Sequence, residues 1–190
     1  MAARGKRVAC LVPAAWAAAF AAKPVIPAAY VGVETQDGWI YAYAGEASGR
    51  EASDPQTLSG LGIAYDENTN TLTLKDGEFV SLGANCMGSD FTIKLTGNVT
   101  FGQLNFTGCG AIVSGNGVMN VNNNGTDAIR EEAIYIRGEY ADARFIVTEN
   151  ATVNAISKNG AALIIHGTAA KENALVYGSV SSGGKTVEPY

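Results

Sequence analysis

Apolar and polar residues alternate in short runs through most of the chain after residue 30. The runs are separated by Gly, Asn, Asp and Ser, and helical periodicity is nearly absent. Strict alternation is typical of β-strands that bury one face. The pattern therefore predicts an all-β chain, and the regular spacing of the runs indicates an internal repeat.

Three segments of the chain share a two-part repeat. Each opens with an apolar–x–apolar–x–Gly block, and these blocks end at Gly108, Gly138 and Gly167. A second alternating block follows each one, written AIVSGN, FIVTEN and ALVYGS. One unit of this length cannot bury its apolar face alone, but stacked units form a continuous core. The repeat predicts a single-stranded parallel β-helix, a solenoid of a few coils with an N-terminal hairpin or cap. The residues predicted to face inward are Phe91, Ile93, Leu95, Val113, Phe145 and Val147 on one sheet, and Leu104, Phe106, Ile134, Ile136, Leu163 and Ile165 on another.

Asparagines recur at one position of the repeat. Asn98, Asn116 and Asn150 each follow an inward apolar residue by the same offset, after Thr or Ser and then Gly or Glu. Stacked coils place equivalent side chains about 4.8 Å apart, so amides at one corner can hydrogen-bond along the stack. Asn also tolerates the left-handed backbone of a sharp corner. We expect these three residues to form an asparagine ladder.

The stretch from Asp66 to Asn70, DENTN, spaces oxygen side chains as a calcium loop would. An EF-hand loop also needs Gly at its sixth position and Glu at its twelfth, where this chain has Thr71 and Gly77. The stretch instead predicts a turn between two half-strands, with Asp66 as its cap and Asn70 in the left-handed position. No metal site is predicted.

The first 22 residues have the features of a secretory signal peptide. A basic start, MAARGKR, precedes the apolar run VACLVPAAWAAAFAA, and Ala19 and Ala21 supply small residues for cleavage. The run is short for a membrane span and contains Pro13, although an uncleaved anchor is the alternative. We therefore expect a secreted or cell-surface protein that is not in the membrane after cleavage. The predicted segments are a signal peptide at 1–22, N-terminal strands and a cap at 23–61, the repeat at 62–185 and a tail at 186–190.

Cleavage would change the charge of the chain. The 13 Lys and Arg fall to 10 against 18 Asp and Glu, which gives a formal net charge of −8. The chain has no basic patch, so nucleic acid is not an expected partner.

Two cysteines, Cys86 and Cys109, remain after residue 22. A pair of cysteines in an exported protein is expected to form a disulfide. The alternative is two buried thiols.

The segment GWIYAY offers a binding surface. Alternation places Trp39, Tyr41 and Tyr43 on one face of a strand, with Ile40 and Ala42 on the other. The three rings would form a strip about 13 Å long on which sugar rings can stack. The alternative is a cap, because the open end of a stacked core must be covered by apolar groups.

No residue pattern indicates catalysis. Adjacent Glu131 and Glu132 in an extended segment would point to opposite faces, and His166 is expected to face outward without a nearby nucleophile motif. We therefore predict a non-enzyme with no cofactor and no catalytic residue, since fold analogy alone does not support catalysis. The charged residues of the long loop are instead expected to be solvated; they are Asp127, Arg130, Glu131, Glu132, Arg137, Asp142 and Arg144.

The run GIAYDENTNTLTLKDGEF, followed by FTIKLTGN and AIVSGNGVMNV, resembles a family of exported β-helical repeat proteins of anaerobic, gut-dwelling Gram-positive bacteria. In that family a Gly–x–x–Tyr–Asp–x–x–Thr–Asn–Thr–Leu–Thr–Leu segment opens the β-helical region. The resemblance covers about Gly62 to Ala155. It implies a β-helical fold outside the membrane in proteins described as carbohydrate-binding-like or uncharacterised. It implies no particular binding residues.

Together these features favour an exported, non-catalytic module for surface binding or adhesion. Its expected partner is a polysaccharide or a host or cell-wall glycan. The alternatives are a purely structural solenoid segment and a polysaccharide lyase or hydrolase.

Overall fold

The structure, a computed structural model, describes residues 28–125, 131–138 and 144–167, and the backbone of 176–177, 180–182 and 185–186. The predicted signal peptide at 1–22 lies outside the described residues. The strands are β1 (Ala28–Thr35), β2 (Gly38–Ala44), β3 (Ile63–Asp66), β4 (Thr71–Leu74), β5 (Gly77–Cys86), β6 (Phe91–Leu95), β7 (Asn98–Thr107), β8 (Ala111–Gly115), β9 (Val118–Asn123), β10 (Ile134–Gly138), β11 (Phe145–Val147), β12 (Thr152–Ser157), β13 (Leu163–Gly167), β14 (Val176–Tyr177), β15 (Val180–Ser182) and β16 (Lys185–Thr186). A 3-10 turn covers Glu46–Ser48, and a short helix α1 covers Pro55–Gly60.

The prediction of an all-β fold is confirmed. The described strands form two sheets, one ordered β16-β15-β12-β9-β7-β5-β1-β2 with β10 and β13 attached beside β7, the other ordered β14-β11-β8-β6-β4-β3. Every residue predicted to face inward is buried in the core between them. Within the described part of the chain, no helix is long and apolar enough to cross a membrane.

The strands between residues 91 and 167 pair in parallel, as predicted. In one sheet Ile93 pairs with Val113, and Val113 pairs with Val147. In the other, β7 pairs with β9 and β10, β9 with β12, and β10 with β13, all in parallel. Antiparallel pairing is found at the two ends of the described chain, where β1 pairs with β2 and β5, β3 with β4, and β15 with β16.

The long strand β7 turns a corner in its middle. Its first part, up to Phe101, pairs with β9, whereas its second part, from Leu104, pairs with β10. Phe101 and Leu104 are both fully buried although they are three residues apart. Strict alternation would place them on opposite faces, so the chain bends at Gly102 and Gln103.

The stretch from Asp66 to Asn70 forms the predicted turn. Asn70 has a φ of 52°, in the left-handed region. The Asp66 carboxylate accepts hydrogen bonds from Thr69 Oγ1 at 2.8 Å and from the Asn68 backbone N–H at 3.0 Å. The hydrogen bond from Thr69 is the main cause that lowers the pKa of Asp66 below its usual value. The turn itself therefore uses the carboxylate that a metal ion would need.

The predicted asparagine ladder is correct for two of its members. Asn150 Nδ2 donates to Asn116 Oδ1 at 3.0 Å. Asn98 does not belong to this stack, because it is the partner of Val118, two residues beyond Asn116. Its backbone N–H donates instead to Asp76 Oδ1 at 2.8 Å.

The strand register explains why Asn98 lies outside the ladder. The sequence offset matches Leu95 with Val113, but the structure pairs Ile93 with Val113 and Leu95 with Gly115. The residue that follows Leu95, Thr96, is therefore the neighbour of Asn116. A second amide pair, which the sequence reasoning missed, joins Asn154 Nδ2 to Asn120 Oδ1 at 3.0 Å.

Cys86 and Cys109 are joined in a disulfide, with Cα atoms 5.3 Å apart. Both residues are fully buried within the core cluster. Because Cys86 ends β5 and Cys109 follows β7, the bond links the ends of two strands that pair in parallel. The closed loop has a sequence separation of 23, for which loop-closure entropy gives a stabilisation of about 3 kcal/mol.

Candidate functional site

The hairpin of β1 and β2 carries the predicted aromatic strip, and a bulge divides it. Val31 pairs with Tyr43, whereas the next residue, Gly32, pairs with Tyr41, so Ala42 is an extra residue in β2. A bulge of this kind changes which face the following side chain occupies. The expectation that Trp39, Tyr41 and Tyr43 share one face is therefore wrong.

Tyr43 lies on the core side of the hairpin. Its partner Val31 is fully buried, and Tyr43 itself is partly buried against the core cluster. Its ring centroid is 5.2 Å from that of Tyr65, which also packs on the core. Tyr43 therefore has the position expected of a cap.

Trp39 and Tyr41 lie on the outer face. Their ring centroids are 6.1 Å apart with an interplanar angle of 14°, and Trp39 is 38% exposed. A Cβ atom added to Gly32 would lie 2.9 Å from both rings, and one added to Gly83 would lie 3.3 Å from the Trp39 indole. The indole therefore reaches from β2 across β1 to β5, and it lies close over two glycines, with the tighter contact at Gly32.

Tyr30 and Arg50 extend this ring pair. The Tyr30 ring packs edge-on against Tyr41, with centroids 6.2 Å apart. The Arg50 guanidinium carbon is 4.0 Å from the Tyr30 centroid and 5.5 Å from that of Tyr41, within the range of a cation–π contact. Arg50 Nη1 also donates to the Ser48 carbonyl at 3.0 Å. We call the side chains of Tyr30, Trp39, Tyr41 and Arg50 the aromatic cluster.

The outer face continues from the aromatic cluster across the neighbouring strands. Gly83 pairs with Asn105, and Asn105 pairs with Tyr135. At a spacing of roughly 4.8 Å, the continuous pairing of β2, β1, β5, β7, β10 and β13 gives a face about 24 Å wide. Tyr135, near its far end, is 8% exposed and lies 5.5 Å from the ring of the exposed His166. The exposed Trp39 indole therefore lies at the β2 end of this face, and Tyr135 near the far end is buried.

Of the charged residues of the long loop, the structure describes Glu131, Glu132, Arg137 and Arg144. Arg144 forms an ion pair with Asp90 and donates from Nε to Asp90 Oδ1 at 3.3 Å. Its side chain passes over Gly110, whose added Cβ would lie 2.6 Å from Arg144 Cγ. Asp127, Arg130 and Asp142 lie outside the described residues. Within the described ranges, no group of three or more His, Cys, Asp or Glu side chains is placed to hold a metal ion.

Sequence reasoning missed the two glycines under Trp39. The available signal was a glycine inside each of two otherwise alternating strands, which often marks close approach of another group. The sequence does not show that Gly32 and Gly83 are direct partners, because that depends on pairing between distant strands.

Comparisons with protein-family models, curated proteins and solved structures find no match to this chain, and the family resemblance stays a prediction.

Proposed function

We propose that the chain is an exported, non-catalytic glycan-binding module, and that the aromatic cluster is its contact surface. The observation that supports this is the stacked pair of Trp39 and Tyr41 on the outer face. Paired rings of this kind offer flat, amphipathic surfaces to sugar rings. Their support by Gly32 and Gly83 holds them in place before a ligand arrives, which reduces the entropic cost of binding.

The proposed architecture behind this surface is a parallel β-helix of a few coils. The support for it is the repeated parallel pairing of strands, which falls into three series. The first series is β4, β6, β8 and β11, the second is the first part of β7 with β9 and β12, and the third is the second part of β7 with β10 and β13. Each coil of the proposed β-helix would contribute one strand to each series. A solenoid of this kind presents an extended lateral face, which suits a long, repetitive ligand.

Export is the part of the proposal that rests on residues 1–22. The disulfide between Cys86 and Cys109 supports it, because such bonds persist in oxidising compartments. Expression in a Gram-positive host tests export directly. We expect the protein in the medium or on the cell surface, with a mature N-terminus close to residue 23. Retention of the full chain in the cytoplasm would contradict it.

Binding is tested with the purified protein on an array of plant, host and cell-wall glycans. We expect Trp39→Ala to weaken binding to any recognised glycan on the order of tenfold or more, since buried Trp contacts dominate binding surfaces. Tyr43→Phe is the matched control, because Tyr43 faces the core and the substitution keeps its ring. Unfolding curves of both variants separate a loss of binding from a loss of structure.

Two results would overturn the proposal. One is that the folded protein binds no glycan on the array. The other is that Trp39→Ala binds as well as the unsubstituted protein while remaining folded. In the second case the hairpin would serve only to cover the core, as Tyr43 does.

A further inference from the structure

A polar cleft lies beside the aromatic cluster. It has a volume of about 370 Å³ and runs between the end of β1 and the end of β9. This volume is within the range of small-ligand sites, roughly 300–1,000 Å³. The side chains that carry the argument are Glu34, Ser81, Gln103 and Asn123.

The cleft and Trp39 belong to the same cross-strand row. Glu34 pairs with Trp39 on one side and with Ser81 on the other. Ser81 in turn pairs with Gln103. Direct partners point to the same face of a sheet, so Glu34 and Trp39 project to one face from neighbouring strands, whose backbones are roughly 4.8 Å apart.

Glu34 is the carboxylate of the cleft, and it has unused acceptor capacity. Ser81 Oγ donates to Glu34 Oε2 at 2.7 Å. Among the described residues, this hydrogen bond is the one that the Glu34 carboxylate accepts. Its other oxygen, Oε1, can therefore accept a hydrogen bond from a ligand. A carboxylate can accept about four hydrogen bonds, so Glu34 is suited to receive hydroxyl donors.

The other polar groups of the cleft are held in fixed positions. Ser81 is 6% exposed, Gln103 is 3% exposed and Asn123 is 4% exposed. Gln103 Nε2 and Asn123 Nδ2 both donate to the Glu132 carbonyl, at 2.9 and 2.8 Å. Asn123 Oδ1 accepts from the Gly125 backbone N–H at 2.9 Å. This wall is therefore organised without a ligand.

We propose that Trp39 and the Glu34 cleft together form a subsite for sugar units that carry hydroxyl or amino donors and no acidic group. The Trp39 indole stacks on the sugar ring while Glu34 Oε1 accepts from its hydroxyls. The subsite disfavours uronic acids and sulfated sugars, because their negative charge would be brought beside the Glu34 carboxylate. This inference rests on the proposed glycan-binding function and adds the class of glycan to it.

Tryptophan fluorescence reports directly on this subsite. After residue 22, Trp39 is the single tryptophan of the sequence. Titration of the protein with polygalacturonate and with the same polymer after chemical reduction of its carboxyl groups compares acidic and neutral ligands of one backbone. The glycan array supplies the same comparison for other backbones.

Three variants make the test decisive. Glu34→Gln is expected to weaken binding of neutral glycans about tenfold, because a hydrogen bond to a charged acceptor is replaced by one to a neutral acceptor. Glu34→Lys is expected to shift the preference toward acidic glycans. Glu78→Gln, an exposed position on β5 outside the cleft, is expected to bind like the unsubstituted protein.

The outcomes separate this inference from the proposed function. If Trp39→Ala loses binding while Glu34→Gln and Glu34→Lys do not change affinity or preference, the subsite is refuted and the glycan-binding function stands. Binding confined to acidic glycans also refutes the subsite alone. If no glycan changes Trp39 emission or binds on the array, both proposals fail.

Discussion

Asn70, in the turn between β3 and β4, combines a left-handed backbone conformation with buried side-chain hydrogen bonds. It is fully buried and has a φ of 52°. Its Oδ1 accepts from the Tyr65 hydroxyl at 2.6 Å, and its Nδ2 donates to the Asp90 carbonyl at 2.8 Å. Its own carbonyl accepts from the Thr92 backbone N–H at 3.0 Å, so the turn is tied to the next strand of the sheet.

Replacement of Asn70 by Ala should therefore remove two kinds of stabilisation. An alanine in the left-handed region costs about 1–2 kcal/mol. Loss of the amide leaves the Asp90 carbonyl and the Tyr65 hydroxyl without this partner, at about 1–3 kcal/mol. The expected loss in the free energy of unfolding is about 2–5 kcal/mol, a large fraction of the stability of a typical domain.

Urea unfolding at neutral pH, followed by circular dichroism, measures this loss. Asn70→Gly isolates the backbone contribution, because glycine keeps the left-handed conformation but not the hydrogen bonds; we expect it to be about 1 kcal/mol more stable than Asn70→Ala. Asn68→Ala, in the same turn but exposed, should cost about 0.5 kcal/mol or less. The reasoning is refuted if Asn70→Ala unfolds at the same urea concentration as Asn68→Ala.

Three further substitutions test other contacts by the same unfolding assay. Asn116→Ala should cost about 0.5–1 kcal/mol, because it removes the exposed amide contact to Asn150; a cost above about 2 kcal/mol would contradict an exposed contact. Burial raises the pKa of Tyr65 from 10.0 to about 12, so the folded state holds the phenol proton more tightly, and stability should be full below pH 10 and fall as the pH rises toward 12. Tyr65→Phe should lose that alkaline decline, and an unchanged decline would contradict the assignment. Gly110→Ala should cost about 1–3 kcal/mol by overpacking, because its Cβ would lie 2.6 Å from Arg144 Cγ and 2.9 Å from Asp90 Oδ1. The cost should be much smaller when Arg144 is also Ala, since that change removes one clash and releases Asp90 from its ion pair; equal costs in both backgrounds would refute this account.

The strands and their inward faces were predictable because alternation is a local property of the sequence. Register between strands was harder, because a shift of two residues leaves the apolar pattern unchanged. Leu95 and Ile93 are both inward, so either one matches Val113 by pattern alone. The structure selects Ile93, and Asn98 thereby leaves the predicted ladder.

The candidate site was predictable only in part. Trp39 and Tyr41 were found because they lie two apart in one strand. The bulge at Ala42, which moves Tyr43 to the core, has no clear sequence signal, since alternation continues through it. The cleft wall was not predictable, because Glu34, Ser81 and Gln103 are far apart in sequence and meet only through strand pairing.

The hairpin of β1 and β2 connects the fold to the proposed binding surface. Without it, β5 would present an unpaired edge, and such edges recruit other strands. β1 covers that edge in antiparallel pairing, and β2 becomes the outer strand. The bulge in β2 then sends Tyr43 to the core while Trp39 and Tyr41 remain outside. Different residues of β2 therefore cover the core and present the exposed rings. Substitutions at Tyr43 should mainly lower the free energy of unfolding, and substitutions at Trp39 should mainly weaken the proposed glycan binding.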